Sequence, residues 1–376
     1  MSKRMALHLT YMPTEEIRQR LDRWDTAARH GVDLATQNWR MFVVWDAARD
    51  ASVSGSTGIE GNPLTPAQVN TVLSGGAVDE DDVHVREVVN YNRAIELGRA
   101  AVSRPDFEWT HEIVHQVNAA VMDGLPRDTR GSYRGPGDEV FVGIYTGPSP
   151  LLVQGFMTEL IDWLRASATT SSLVRSALLH LNVIAIHPFN DGNGRTARVL
   201  AAMALMEHGI PATELISIEG FIRRHRDEYV AVLRTTLGTG YDPENHATTA
   251  WLDYYTRVSL DRLDVRDRIL EALPGDMGVA YAALADAGDP VEWAVILLAA
   301  RVSRMRTDRV AAMAALSAPA ARALLRRIVD AGWMTPQGRT RGRWYAPSAR
   351  LEALPLRVPT LMRHLAAGDQ LSLFEE

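Results

Sequence analysis

Residues 173–207 constrain the fold more than any other part of this 376-residue chain. Two apolar segments with helical spacing, 173–186 and 194–207, flank a short loop that contains one proline and two glycines. Pro188 ends the first helix, because a proline disrupts a helix that continues through it. Gly192 and Gly194 let backbone amides approach an anion closely, and the second helix adds the positive end of its dipole. The segment therefore predicts two buried helices joined by an anion-binding loop.

The loop and the following helical turn carry several groups suited to phosphate chemistry. His187, with an ordinary pKa of about 6.5, could accept a hydroxyl proton near neutral pH. Asp191 offers a hard oxygen ligand of the kind that Mg²⁺ prefers when it bridges phosphates. Arg195 and Arg198 are three residues apart on one helix face, so both could reach one polyphosphate. A capped helix–loop–helix would explain any one of these residues, but it does not explain all of them together.

Most of the remaining chain is predicted to be helical. Apolar periodicity predicts further helices over 13–30, 39–52, 79–101, 110–122, 153–164, 226–237 and 249–273. Residues 138–147 are rich in β-forming residues and flanked by glycine and proline, which predicts a short hairpin. We therefore expect an all-α body that carries one small β-hairpin.

Residues 276–350 are predicted to form a separate unit. Helices are expected over 307–315 and 320–331, followed by a glycine-punctuated β-ribbon, and this order is that of a winged helix. Residues 301–350 hold eleven Arg and two Asp, a charge of +9, although the whole chain carries −6. An isolated basic block on an acidic body is typical of nucleic-acid binding. The chain has a single lysine, so a general preference for arginine explains why these basic residues are arginines. It does not explain why they are clustered.

Composition excludes several classes of protein. The chain has no cysteine, which removes disulfides, thiolate zinc sites, iron–sulfur clusters and cysteine nucleophiles. The N-terminal residues lack the long apolar run of a signal peptide. The longest apolar run, 293–300, is too short to span a bilayer. We therefore expect a cytoplasmic protein without membrane contact.

The segment from His187 to Arg198 resembles the signature of the Fic family, H-P-F-x-D/E-G-N-G-R-x-x-R, at every specified position. The resemblance implies transfer of AMP from ATP to a Ser, Thr or Tyr hydroxyl of a target protein, with His187 as the base and Asp191 as the Mg²⁺ ligand. It also implies a set of nucleotide-binding residues, which would form the anion hole for the phosphates, supply two arginines to them and line the pocket for the adenine. These are Gly192, Asn193, Gly194, Arg195, Arg198 and Tyr229.

The same resemblance bears on the reaction type and on the partners. Some family members carry lysine at the position of Gly194 and transfer phosphate instead, so the glycine favours nucleotide transfer. The target could be the chain itself, and family members often pair through their Fic cores, so a homodimer is one expectation. The identity of the transferred nucleotide stays open at this point.

Two further segments resemble parts of Fic proteins. Gly131-Ser132-Tyr133-Arg134, followed by the hairpin at 138–147, is similar to the family's flap, where an edge hairpin can hold an extended target by strand addition. Residues 56–62 resemble the inhibitory motif S/T-x-x-x-E-G/N, with Ser56 and Glu60 on one helix face. A Glu60 carboxylate presented to Arg198 would compete with the γ-phosphate, so we expect autoinhibition. An ordinary helix end is the alternative, and Gly55 and Gly58 are unfavourable in a helix.

Two alternative functions come from other segments. The first is a DNA-binding regulator whose Fic core senses nucleotide, although a winged helix can also dock a protein. Its candidate phosphate contacts are Arg322, Arg326 and Arg327 in the recognition helix and Arg339, Arg341 and Arg343 in the wing. The second is a zinc peptidase, because His111 to His115 fits the H-E-x-x-H pattern. The metzincin continuation fails, since Asn118 and Val121 occupy the positions of its Gly and third His.

The expected domain organisation has four parts. These are an N-terminal helical region at 1–110 with an inhibitory helix near 45–62, a Fic catalytic core at 111–265, a winged-helix domain at 276–350 and a C-terminal tail at 351–376.

Overall fold

The computed structural model describes residues 7–28, 39–76, 79, 81–129, 131–210, 213–245, 247–283, 291–292, 295–296, 299, 304–314, 316–339 and 343–353. These residues are mostly helical and include two small antiparallel strand pairs. Among them, no helix is both long and apolar enough to cross a bilayer.

The elements follow one another in this order along the chain. The N-terminal part contains α1 (Glu15–Ala27), α2 (Trp39–Ile59), α3 (Pro66–Leu73), α4 (Val83–Val102) and α5 (His111–Met122). The central part contains β1 (Phe141–Val142), β2 (Tyr145–Thr146), α6 (Pro150–Ala166), α7 (Ser172–Ile186), α8 (Asn193–Glu207), a 3-10 turn (Thr213–Ile216), α9 (Glu219–Arg224), α10 (Arg226–Leu237) and α11 (Thr249–Ala283). The C-terminal part contains α12 (Thr307–Met313), α13 (Ala318–Asp330), β3 (Met334–Gln337), β4 (Trp344–Pro347) and α14 (Ala349–Glu352).

The α7–α8 pair forms the centre of the fold. Fourteen of the fifteen α7 residues are buried, which is the pattern of a helix surrounded on all sides. One hydrophobic cluster joins the pair to α4, α5 and α6 through residues such as Val88 and Val117. A second cluster joins it to α11 through Trp251 and Leu252. The predicted pair of buried helices is confirmed, and Phe189 of its connecting loop belongs to the first cluster.

The structure corrects the bounds of several predicted helices, among them α11, which continues to Ala283 rather than ending at 273. α4 begins at Val83 rather than near 79, because the Asp82 side chain caps it by accepting a hydrogen bond from the His84 amide at 2.8 Å. α2 does not end at 52 but continues through Gly55 to Ile59. The inhibitory segment near 45–62 is therefore helical only to Ile59, and Glu60 lies in the following turn.

The C-terminal elements follow the predicted order of helix, turn, helix and ribbon. Ser317 caps α13, and β3 pairs with β4 with Met334 opposite Pro347. Met305, ahead of α12, forms an antiparallel bridge with Tyr345 of β4. The tail beyond 353 lies outside the described residues.

Candidate active site

His187 lies at the C-terminal end of α7 in the left-handed conformation, with φ 50° and ψ 60°. This conformation is uncommon for a residue other than glycine. Arg134 holds it in place, because its Nε donates to the His187 carbonyl at 2.8 Å and its backbone amide donates to the Pro188 carbonyl at 2.8 Å. The His187 Nδ1 lies 3.3 Å from the Ile184 carbonyl, which favours a proton on Nδ1 and leaves Nε2 as the basic nitrogen. Burial lowers the pKa of His187 below 6.5, so the ring is neutral near pH 7.

The loop after His187 is held by its own side chains. Asn193 accepts from the Phe189 amide at 2.9 Å and donates to the Phe189 carbonyl at 2.8 Å, and Phe189 is fully buried. Gly192 has φ 75°, and a Cβ there would lie 2.8 Å from the Met122 sulfur. Asn118 of α5 donates to the Asp191 carbonyl at 3.1 Å. The glycine at 192 is therefore required by the packing of α5 against the loop as well as by its backbone conformation.

Asp191 presents a carboxylate to a polar cavity of about 330 Å³, which His187 and Arg195 also line. Its side chain is 41% exposed and accepts from the Gly192 amide at 2.6 Å. Among the described residues, no group of three or more His, Asp or Glu side chains could hold a metal ion. Asp191 nevertheless fits Mg²⁺, because Mg²⁺ commonly takes one or two protein carboxylates and completes its shell with water and phosphate oxygens.

The two signature arginines have different partners. Arg195 lies 3.3 Å from a Glu87 carboxylate oxygen. Arg198 is almost fully buried, and its Nε donates to the Ser56 hydroxyl at 2.7 Å. Arg195 lines the polar cavity, whereas Arg198 lines a second cavity of about 350 Å³. Both guanidinium groups come from α8, but each faces a different cavity and a different partner.

Glu60 lies between α2 and the loop. Its carboxylate accepts from Arg198 Nη2 at 2.8 Å. A Cβ added to Gly194 would overlap a Glu60 carboxylate oxygen, so this carboxylate lies directly over the first turn of α8. Burial alone would raise its pKa, but the Arg198 guanidinium lowers the pKa of Glu60 below its ordinary value. The group is therefore charged and paired at neutral pH.

The second cavity has largely apolar lining. Ile59, Val230 and Leu233 contribute to it, together with Tyr229 and Arg198. Tyr229 is buried, and its hydroxyl lies 3.0 Å from the His180 Nε2. Glu60, His187 and Gly194 line both cavities and stand where they meet. Val230 and Leu233 lack any sequence signal beyond helical periodicity, and sequence reasoning missed them.

The H-E-x-x-H pair does not form a metal site in the described part of the chain. Both ring nitrogens of His111 are engaged, by the Tyr133 hydroxyl at 3.0 Å and by the Thr158 hydroxyl at 3.1 Å. No third ligand joins His111 and His115 among the described residues. The zinc-peptidase hypothesis therefore has no support in the structure.

The candidate arginines of the C-terminal unit fall into three groups. Arg327 is exposed and forms an ion pair with Glu292. Arg341 lies outside the described residues. The others are exposed and form no hydrogen bond or ion pair with described residues; these are Arg322, Arg326, Arg339 and Arg343.

Residues 108–205 match the Fic/DOC family. The chain is 30% identical over 158 residues to protein adenylyltransferase fic-1 of Caenorhabditis elegans, covering 41% of this chain and 31% of that protein. It is 30% identical over 164 residues to protein adenylyltransferase Fic of Drosophila willistoni, covering 42% of this chain and 32% of that protein. The chain thus spans about a third of the length of these relatives.

Solved structures agree on the fold. A Fic family protein from Desulfovibrio desulfuricans G20 superposes with a TM-score of 0.56 at 23% identity, covering 90% of this chain and 98% of that one. A Fic domain containing signaling protein from Bacteroides thetaiotaomicron superposes with a TM-score of 0.55 at 23% identity, covering 69% and 97%. Residues 108–205 are therefore similar to the Fic domain in sequence, and the chain shares its fold.

Proposed function

We propose that this chain is a protein adenylyltransferase, which transfers AMP from ATP to a Ser, Thr or Tyr hydroxyl of a target protein. The observation that carries the proposal is the position of His187 and Gly194, where a polar cavity meets an apolar one. A nucleoside triphosphate is likewise divided into an apolar and a polar part, because it has a flat base at one end and a charged phosphate chain at the other. The curated relatives named adenylyltransferases support the same activity.

The reaction follows from the chemistry of the loop. Neutral His187 accepts the proton of the target hydroxyl, whose oxygen attacks the α-phosphorus. The bond from that phosphorus to the β-bridging oxygen breaks, so the target gains AMP through a phosphodiester and pyrophosphate leaves. Backbone amides at Gly192 and Gly194 stabilise the charge on the phosphate oxygens. Asp191 would hold Mg²⁺, which when bound neutralises phosphate charge.

We also propose that Glu60 inhibits this reaction. Its carboxylate bonds Arg198 and lies over Gly194, and a bound triphosphate would need both positions. Ser56 strengthens the contact, because its hydroxyl accepts from Arg198. Nucleotide binding in this state would leave Arg198 unavailable to the γ-phosphate.

The test is incorporation of label from ATP carrying a radioactive α-phosphate. We expect Glu60→Gly to raise labelling at least about fivefold. A fivefold change corresponds to the weakest of the coupling energies that are usual between two sites in a protein. Glu60→Gly combined with His187→Ala should show no label. Glu108→Gly is the matched control, because Glu108 is an exposed loop residue that lines neither cavity.

Each outcome bears on one part of the proposal. Equal labelling of the wild type and Glu60→Gly would contradict the inhibitory role. A complete lack of α-phosphate label in all folded variants would contradict the transferase. Mass spectrometry after incubation with each nucleoside triphosphate identifies the transferred group, and peptide fragmentation shows whether the acceptor lies in this chain or in a target.

A second proposal concerns the C-terminal unit, which we propose is a winged helix that binds the DNA backbone. Arg322 and Arg326 on α13 and Arg343 beside the ribbon support it, because they are exposed and lack partners among the described residues. Duplex binding should weaken steeply with salt and be lost in Arg322→Ala/Arg326→Ala. Salt-independent binding, or none, would favour a protein partner instead.

A further inference from the structure

Arg127 shares an unusual backbone conformation with His187. Among the described residues, these two are the non-glycine positions with positive φ, 64° for Arg127 and 50° for His187. Both residues line the same polar cavity of about 330 Å³. Such conformations persist only where the surrounding structure holds them, and they cluster at ligand-binding and catalytic sites. Arg127 therefore holds an unusual backbone conformation in the lining of the same cavity as His187.

Arg127 occupies the third position of a tight turn directly after α5. The Asp128 amide donates to the Leu125 carbonyl at 3.1 Å, and Pro126 stands at the second position of the turn. This is the pattern of a type II turn, whose third residue is usually glycine or asparagine. The turn is tied to α5, because Leu125 is buried and its amide donates to the Met122 carbonyl at 2.9 Å. Glycine would suit this turn better, so the turn itself does not explain the arginine.

The side chain of Arg127 has no partner in the described part of the chain. It is exposed and forms no hydrogen bond or ion pair with a described residue. The other arginine of the polar cavity, Arg195, is paired with Glu87. Arg127 therefore brings an uncommitted guanidinium to the cavity that also contains Asp191 and the glycines of the loop.

We propose that Arg127 binds the phosphates that leave as pyrophosphate, an inference that rests on the proposed function. The cavity it lines contains Asp191, Gly192 and Gly194. Hairpin residues 140–142 also line it, but its accessible surface is mainly polar, which suits phosphate at this end better than a base. A guanidinium offers two parallel N–H donors to phosphate oxygens. Arg127 is thus a nucleotide-binding residue outside the signature, and it holds the leaving group while His187 acts on the acceptor.

The test measures affinity directly, by calorimetry with ATP, inorganic pyrophosphate and AMP. The parent protein is Glu60→Gly, which clears the carboxylate from Gly194. Adding Arg127→Ala should weaken ATP and pyrophosphate binding about tenfold, as expected for loss of a hydrogen bond to a charged group, and should leave AMP binding unchanged. Adding Arg104→Ala is the control for net charge, because Arg104 is exposed and lines neither cavity.

A second variant separates binding from backbone structure. Arg127→Gly suits the turn, so it should keep or raise the melting temperature while weakening pyrophosphate binding as much as Arg127→Ala does. Equal pyrophosphate affinity in Arg127→Ala and Arg104→Ala would overturn the inference, as would an equal loss of AMP and ATP binding. If Glu60→Gly binds pyrophosphate but not ATP, the proposed function fails, and the pyrophosphate titrations still decide the role of Arg127.

Discussion

At the scale of one residue, His187 shows how burial shifts the pKa of the base that we propose. Burial lowers its pKa, and the positive charge of Arg134 lowers it further. The Ile184 carbonyl and the Glu60 and Asp191 carboxylates oppose this shift without cancelling it. The ring therefore stays neutral at a pH where an exposed histidine is already partly protonated.

The pH dependence of the reaction should report this shift. A general base acts in its deprotonated form, so a lowered pKa keeps it active to lower pH. In Glu60→Gly, which also loses a carboxylate that raises this pKa, we expect kcat/KM for ATP to stay level down to pH 6.5 and to fall only below it. Melting temperatures measured at each pH control for unfolding. An acidic limb centred above pH 6.5 would contradict the assignment.

At the scale of secondary-structure elements, the packing of α2 against α9 determines the position of Glu60. A Cβ on Gly55 would lie 2.7 Å from the Gly220 amide nitrogen and 2.8 Å from the Glu219 carbonyl carbon. Arg223 of α9 also donates to the Ser54 carbonyl of α2 at 3.1 Å. This close approach places Ser56 and the turn after α2 against Arg198.

Gly55→Ala should therefore disturb the proposed inhibitory contact between Glu60 and Arg198, although Gly55 takes no part in that contact. The added methyl group meets backbone atoms, which cannot rotate away, so the helices must separate at a cost of about 1–3 kcal/mol. We expect higher α-phosphate labelling together with a lower melting temperature. Gly155→Ala in α6 is the control, because its Cβ would meet nothing within 4 Å, and it should leave labelling unchanged. A destabilised Gly55→Ala protein with wild-type labelling would show that this packing does not position Glu60.

At the scale of the whole molecule, an ion pair links the C-terminal unit to α2. Arg309 of α12 donates to both carboxylate oxygens of Asp46 in α2, at 2.7 and 2.8 Å. Asp46 is fully buried and also pairs with Arg49 at 2.9 Å. The arginine-rich unit thus contacts the same helix that carries Ser56.

Removing this contact should loosen α2 and raise labelling. Arg309→Ala leaves Asp46 with Arg49 as a remaining partner, so we expect a loss of about 1–3 kcal/mol in the free energy of unfolding. Labelling from ATP should increase at the same time. Arg306→Ala is the matched control, since Arg306 pairs with the exposed Asp308. Unchanged labelling in Arg309→Ala, despite lower stability, would show that the C-terminal unit does not support the inhibited state.

The sequence by itself determined the signature loop and its flanking helices. His187, Asp191, Gly194 and Arg198 lie within twelve residues, and a helix–loop–helix of that length brings their groups together by local geometry. Ser56 and Glu60 were found for the same reason, because a short motif carries their spacing.

Only the tertiary structure decided which distant residues lie against α2 and the signature loop. The contact of Arg309 with Asp46 joins positions 263 residues apart, and Gly55 is explained only by a helix that passes against it. Arg127 was missed because its backbone angle and its cavity depend on how α5 packs beside the loop. Contacts of this kind come from the packing of whole helices, and no local spacing in the sequence encodes them.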